Sequence, residues 1–271
     1  MSVVTEILSK LDPKTRQRVQ TALEVETPKQ KTPSIGLNMA LKGGLGHGRQ
    51  ILIWGNKSAG KSSFCLQMIA EAQKEGKTCA WIDAEASYSA DWAEKLGVNS
   101  EELIYSPAKT INDMVDVATQ LMEAGVDIIV VDSISALLPA IYFEKDSTEL
   151  KKLEDTKQIG AEAKDMTHAV KMLNYANKNT LLVLISQQRN QFGSMHASHI
   201  PTGFYFQGEN LGVDQVGEVL DVSEQFGIIE KGGAWYTVNG ERFQGRAKAV
   251  QYLRDNADVV EKLKAEIYAK A

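Results

Sequence analysis

Short continuous apolar runs alternate with stretches of helical spacing along most of the chain. Residues 49–54 hold Ile51-Leu52-Ile53-Trp54, a run that reads as a buried strand. Ser63-Phe64-Cys65-Leu66-Gln67-Met68-Ile69-Ala70 follows with helical spacing. Thr78-Cys79-Ala80-Trp81-Ile82-Asp83 predicts a second strand and Leu103-Ile104-Tyr105 a short third. Ile111 to Ala124 places Met114, Val117, Ala118, Leu121 and Met122 on one helical face. Residues 126–132 and 179–186 predict a fourth and a fifth strand, with a helix near 158–178 between them. Near-continuous apolar strands separated by helices indicate a parallel sheet covered on both faces. Ligands of such sheets bind at the carboxyl ends of the strands.

The rest of the chain departs from this alternation. Residues 3–26 predict a charged helical arm, with Val4, Ile7, Leu8 and Leu11 on one face and a second helical stretch from Pro13. Such an arm serves either as a solvated appendage or as a docking element. Residues 144–160 and 187–212 are long polar interruptions, and loops of that length are commonly functional or disordered. From residue 213 a helix, the aromatic turn-rich piece Gly232-Gly233-Ala234-Trp235-Tyr236 and two further helices predict a small α+β lobe. The expected division is 1–32 for the arm, 33–212 for an α/β core and 213–271 for the lobe.

One stretch changes the picture most. Gly55-Asn56-Lys57-Ser58-Ala59-Gly60-Lys61-Ser62 matches G-x-x-x-x-G-K-[ST] between a predicted strand and a predicted helix. In that context backbone N–H groups and the helix N-terminus form a site for phosphates. Lys61 is expected to reach the β- and γ-phosphates, and the Ser62 hydroxyl to ligate Mg²⁺. Ser63 completes the expected nucleotide contacts.

Other strand ends offer further chemistry. Asp132 ends Ile128-Ile129-Val130-Val131, where a carboxylate downstream of a phosphate loop holds the Mg²⁺ shell. Glu85, just past the second strand, is either a general base for water or a surface carboxylate. Gln187 and Gln188, followed by Arg189, either sense the γ-phosphate or cap a strand. Tyr88 and Trp92 either stack on a purine or fill the core. His168, His196 and His199 lack a plausible metal spacing.

Composition limits the alternatives. The 271 residues are 43% hydrophobic and 24% charged, ordinary values for a soluble globular chain. No apolar run approaches the ~20 residues of a membrane span, and no secretory signal is visible, so a cytoplasmic location is expected. Cys65 and Cys79 read as buried free thiols of a reducing compartment. The formal charge of −5 does not attract nucleic acid as a whole, so DNA binding would need local loops or repetition in an assembly.

Taken in order, these segments resemble the RecA family of DNA strand-exchange ATPases. The resemblance rests on Pro33-Ser34-Ile35-Gly36-Leu37-Asn38-Met39-Ala40 with Gly43-Gly44-Leu45, the phosphate loop, Ile82-Asp83-Ala84-Glu85 and Lys95-Leu96-Gly97-Val98. It extends to Val130-Val131-Asp132-Ser133, Ser186-Gln187-Gln188-Arg189, and Ile229 to Tyr236 with Asn239-Gly240-Glu241. It implies a RecA-like ATPase core with a mostly parallel sheet, and an ATP- and Mg²⁺-dependent helical homo-oligomer. That assembly would form on single-stranded DNA and pair it with homologous duplex DNA. Glu85 matches the family's catalytic glutamate and Gln187 its γ-phosphate-sensing glutamine. Trp92 falls where the family has an adenine-stacking tyrosine. Residues 144–160 correspond to the first DNA-binding loop and those after Arg189 to the second, which makes Lys145, Lys151, Lys152, Arg189 and Asn190 the expected DNA contacts.

The chain also departs from that family. The arm is short and divergent, and residues 144–160 are longer and more charged than the family's loop. The stretch between Arg189 and Gly212 is several tens of residues shorter. The missing part normally carries core strands beyond the fifth, and basic residues that reach the neighbouring subunit's ATP. The intact family-like tail leads to the expectation of further residues near 192–212, with an intact mass above 29.8 kDa. Two other functions compete with a recombinase: a RecA-like ATP-binding regulator or filament mediator without strand exchange, and a small-molecule kinase. Against the kinase stands the lack of an arginine-rich lid segment.

Overall fold

The computed structural model describes residues 3–16, 19, 27–143, 151, 161–187 and 212–270. The arm gives α1 (Val3–Ser9) and α2 (Pro13–Arg16). Of its predicted apolar face, Leu8 is buried, while Val4 and Ile7 are exposed. The face is thus buried only in part, which leaves both readings of the arm open. A small ladder of β1 (Lys29–Gln30) and β2 (Leu45–Gly46) flanks α3 (Ile35–Ala40), which Ser34 caps through its hydroxyl.

The core sheet has five parallel strands in the order β3-β7-β6-β4-β5: β3 is Gln50–Gly55, β4 Cys79–Asp83, β5 Leu103–Pro107, β6 Ile128–Asp132 and β7 Leu181–Gln187. Four helices cover it: α4 (Lys61–Lys74), α5 (Ala90–Lys95), α6 (Ile111–Glu123) and α7 (Ala161–Ala176). Side chains alternate between two apolar clusters with the strand period of two. Cys79, Trp81, Ile128, Val130, Leu181 and Val183 face α4. Ala80, Ile82, Ile129, Val131, Leu182 and Leu184 face α6 and α7. Each fully buried Ile or Leu removes enough apolar surface from water to contribute roughly 1.5–3 kcal/mol. A capping box of Thr110 and Asp113 fixes the start of α6. Both cysteines are buried, and burial raises both thiols, Cys79 to about 12.

Strand β3, which leads into the phosphate loop, forms one edge of this sheet. Among the described residues no strand pairs with its outer side. Its Leu52 and Trp54 are 54% and 60% exposed, the apolar edge expected when strands beyond the fifth are missing.

Just ahead of the lobe, Gly212 lies against α4. A Cβ there would sit 2.3 Å from the amide of Gln67, so only glycine fits, and the φ of +92° demands it as well. Gln67 Oε1 accepts the Val213 N–H at 2.7 Å. Helix α8 (Gln215–Gln225) then carries Glu218, whose carboxylate accepts from Ser34 Oγ (2.6 Å) and the Ile35 N–H (3.0 Å) at the start of α3. An acid at a helix N-terminus complements the dipole, and here it ties the lobe to the core. Beyond α8 lie an antiparallel sheet of β8 (Glu230–Gly232), β9 (Trp235–Val238) and β10 (Glu241–Gln244), then α9 (Arg246–Asp255) and α10 (Ala257–Lys270). Sequence pattern predicted this α+β lobe, but not the pairing of its three strands or the short helix α5.

Candidate functional site

The carboxyl ends of β3, β4, β6 and β7 bring the predicted residues to one side of the sheet. After β3 the chain turns through Asn56, Lys57, Ser58 and Ala59. Gly60 takes a left-handed conformation (φ 82°) as the N-cap of α4, with no side-chain cap. The first-turn N–H groups of Lys61, Ser62 and Ser63 are thereby left to face outward from a helix N-terminus. Lys61 Nζ lies over the loop, donating to the carbonyls of Asn56 (2.8 Å) and Gly55 (3.2 Å).

Asp132 feels the charges of Lys61, Glu85 and Asp83, while the Asp83 carboxylate itself accepts the Glu85, Ser87 and Tyr88 N–H groups. Ser62 Oγ donates to Asp132 Oδ2 at 2.6 Å, joining α4 to the end of β6. Asp132 is buried, and its carboxyl is raised above the usual carboxylate range. Burial is the largest cause; Glu85 and Asp83 add to it, while Ser62 and Lys61 oppose it. A hydroxyl and a carboxylate in contact, in a pocket with surplus negative charge, form a donor set that suits a hard divalent cation such as Mg²⁺.

Glu85 stands at the centre of the group. Its Oε1 accepts from Ser133 Oγ in a short hydrogen bond and from Gln187 Nε2 at 2.7 Å. The Gln187 backbone N–H donates to Ser135 Oγ (3.0 Å), which also contacts Ser186 Oγ (3.1 Å). Glu85 and Gln187, singled out separately as a candidate base and a candidate γ-phosphate sensor, are thus direct partners. Ser133 and Ser135 were not anticipated. Their place beside Glu85 and Gln187 depends on the β7-β6-β4 strand order, which spacing along the chain does not reveal.

Trp92 sits on α5 and donates from Nε1 to Ser63 Oγ at 3.1 Å, at the first turn of α4. It is half-buried and packs against the core cluster, as does Tyr88. Its core packing is thus visible, and its indole N–H lies at the first turn of α4; stacking on a base remains a proposal. Replacing Trp92 by alanine is expected to weaken nucleotide binding by roughly 1–2 kcal/mol if the ring stacks on the base. Titration with a fluorescent ATP analogue measures this. Unchanged affinity with a lowered melting temperature assigns Trp92 to the core alone.

Of the expected DNA contacts, Lys151 is described. Its backbone N–H donates to Tyr142 O at 2.9 Å. Lys145, Lys152, Arg189 and Asn190 lie outside the described residues. The outer face of α7 offers a group that spacing could have found. Lys164, His168, Lys171 and Tyr175 recur at helical intervals, all exposed, Tyr175 to 92%. Ala169 and Leu173 are buried on the opposite face, and Glu162 and Asp165 fall off the stripe. Among the described residues no ion pair holds either lysine. No group of three or more His, Cys, Asp or Glu side chains placed to hold a metal ion occurs among the described residues, and no described helix is long and apolar enough to cross a membrane.

Comparison with known proteins matches this arrangement. The model of the RecA N-terminal domain matches residues 13–221, and that of the RecA C-terminal domain residues 217–271. The RecA protein of Marinobacter nauticus is 32% identical over 296 aligned positions, covering 90% of this chain and 83% of the relative. Those of Teredinibacter turnerae (32%, 90% and 86%) and Rhodospirillum centenum (33%, 91% and 82%) are similar to the same extent. The aligned span exceeds the 271 residues of the full sequence, so these relatives carry positions that this chain lacks. The expectation of extra residues near 192–212 is set aside accordingly: the full sequence runs on without them. A phosphate loop on an edge strand, an acid-lined pocket at the strand ends and a lobe clamped to α3 thus occur in a chain that both domain models cover almost end to end, and it belongs to the RecA family.

Proposed function

We propose that this chain is an ATP-dependent recombinase, a DNA-stimulated ATPase that assembles as a helical homo-oligomer on single-stranded DNA and pairs it with homologous duplex. The observation that carries this reading is the contact of Glu85 with Gln187 beside the Ser62–Asp132 pair. It joins a base for water, a group able to sense the γ-phosphate and a cation site within one pocket. We retain the division into 1–32, 33–212 and 213–271 as part of the proposal.

In this proposal the residues take the following roles. Residues 55–63 would cradle the phosphates with backbone N–H groups, and Lys61 would leave its carbonyl partners to neutralise the γ-phosphate. Ser62 and Asp132 would hold Mg²⁺, which when bound supplies charge neutralisation on the phosphates. Glu85 would orient and deprotonate the attacking water. The Gln187 amide has two N–H donors: one meets Glu85 and the second is available to a γ-phosphate, so bound nucleotide would bias the orientation of this side chain. It lies at the last described position before the residues assigned to the second DNA loop. ATP occupancy would thereby bias DNA binding.

ATP hydrolysis measured with and without single-stranded DNA tests the proposal. Strong stimulation is expected. Turnover that ignores DNA, or none, favours the alternative, an ATP-binding regulator or filament mediator without strand exchange. The shortened stretch before Gly212 and the unpaired edge of β3 support that second reading. Stimulation by a metabolite would point to a kinase.

DNA contact would combine Lys145, Lys151, Lys152, Arg189 and Asn190 with the basic face of α7. Changing Lys164 and Lys171 together to alanine is expected to weaken binding to single-stranded DNA and to reduce its salt dependence, by about 0.7 in log–log slope for each phosphate that is no longer neutralised. Nucleotide affinity should be unaffected, since both lysines lie on the outer face of α7. Fluorescence anisotropy across a salt series reads this, and an unchanged slope removes α7 from the interface.

A further inference from the structure

We infer that Asp83 is a positioning residue for ATP hydrolysis: its buried carboxylate sets the loop that presents Glu85. This deepens the proposed ATPase reading and rests on it. Asp83 ends β4, is 3% exposed, and is no partner of Lys61, Ser62 or any other cation among the described residues. All the hydrogen bonds it accepts run along one route instead. Oδ1 accepts the backbone N–H groups of Glu85 (3.1 Å) and Ser87 (3.3 Å). Oδ2 accepts the Tyr88 N–H (3.0 Å) and the hydroxyl of Tyr105 on β5 (3.2 Å).

A carboxylate that gathers three loop amides does the work of a cap and fixes the backbone of 85–88. The loop needs such a hold. Ala86 has φ 53°, in the left-handed region that a residue with a Cβ adopts at a cost. A second hold comes from the Asp132 carbonyl, which accepts the N–H groups of Ala84 (2.8 Å) and Glu85 (3.3 Å). The Glu85 N–H is therefore shared between the Asp83 carboxylate and the Asp132 carbonyl, which together fix its direction. The Glu85 side chain can then meet Ser133 and Gln187 without searching. Tyr105 closes the arrangement. Its hydroxyl orients Asp83, and its ring lies 5.4 Å from that of Tyr88, which in turn lies 6.0 Å from Trp81. The raised Tyr105 phenol, caused first by desolvation and then by Asp83, agrees with a hydroxyl that stays a donor.

Asp83→Asn tests this, because it keeps the shape but turns one acceptor into an NH₂ group facing donors. Hydrogen exchange at the Glu85, Ser87 and Tyr88 amides is expected to accelerate. With saturating ATP, kcat is expected to fall about tenfold or more, the scale of a misplaced catalytic group, while the affinity for a fluorescent ATP analogue changes by less than about twofold. Tyr105→Phe, which leaves the three amide bonds in place, should move kcat in the same direction by a smaller factor and serves if Asp83→Asn does not fold. Unchanged exchange at the three amides overturns the inference. So does a fall in kcat matched by an equal loss of nucleotide affinity and a lowered melting temperature, the pattern of a structural residue. A wild-type chain without ATP turnover overturns the ATPase reading instead, and the exchange rates then still decide whether Asp83 holds the loop.

Discussion

Replacing Lys61 by alanine is expected to abolish tight ATP binding or turnover. The reasoning starts from charge. Asp132 is raised by burial and by the charges of Glu85 and Asp83. Bringing a triphosphate into such a site needs compensating positive charge. The first turn of α4 supplies partial charge through its dipole and N–H groups. Lys61 would supply a full charge, already poised over the loop on the Gly55 and Asn56 carbonyls. Alanine removes that charge and leaves the loop backbone in place, because the turn is set by Gly60 and the helix start rather than by the lysine. The variant should therefore melt close to the wild type while failing to retain a fluorescent ATP analogue. Wild-type hydrolysis by this variant would remove the phosphate-loop assignment and, with it, most of the functional reading.

The contrast between what spacing revealed and what it missed follows the range of the interactions. The segment 55–62 is local, a strand end, a glycine turn and a helix start in one continuous stretch, so pattern alone singled out Lys61 and Ser62; Asp132, 70 positions from Ser62, was singled out by its own apolar run. The five strands were legible because each is a compact apolar run, and their burial on both faces follows from that. Strand order was not legible. It puts β7 and β6 between β3 and β4, and so decides that Ser133 and Gln187 reach Glu85 while Ser62 reaches Asp132. The apolar stripe of α1 shows what period leaves open: Leu8 is buried while Val4 and Ile7 are exposed, and periodicity states only that a face could be buried, not what covers it. The Glu218 clamp on α3 joins residues more than 180 positions apart and leaves no local trace beyond Ser34 as a helix cap.

Changing Glu85 to glutamine is expected to preserve ATP binding and slow hydrolysis by ~10²-fold or more, the scale of a lost general base. The substitution is well matched to the site. Glutamine has the same length, its oxygen can still accept from Ser133 or from Gln187, and the backbone hydrogen bonds of residue 85 to Asp83 and to the Asp132 carbonyl do not involve the side chain. What disappears is the ability to take a proton, together with one negative charge. Losing that charge removes one of the causes that raise Asp132, so the cation site should be no weaker, and nucleotide affinity should hold or improve. This separates Glu85 from Lys61, whose loss removes binding, and from Asp83, whose loss frees the loop amides while the base itself remains. Pre-steady-state measurement of phosphate release at saturating ATP, beside equilibrium binding of the analogue, resolves the three. If Glu85→Gln instead lowers binding and turnover by the same factor, Glu85 is holding Ser133 and Gln187 in place rather than activating water, and the base must be sought elsewhere in the pocket.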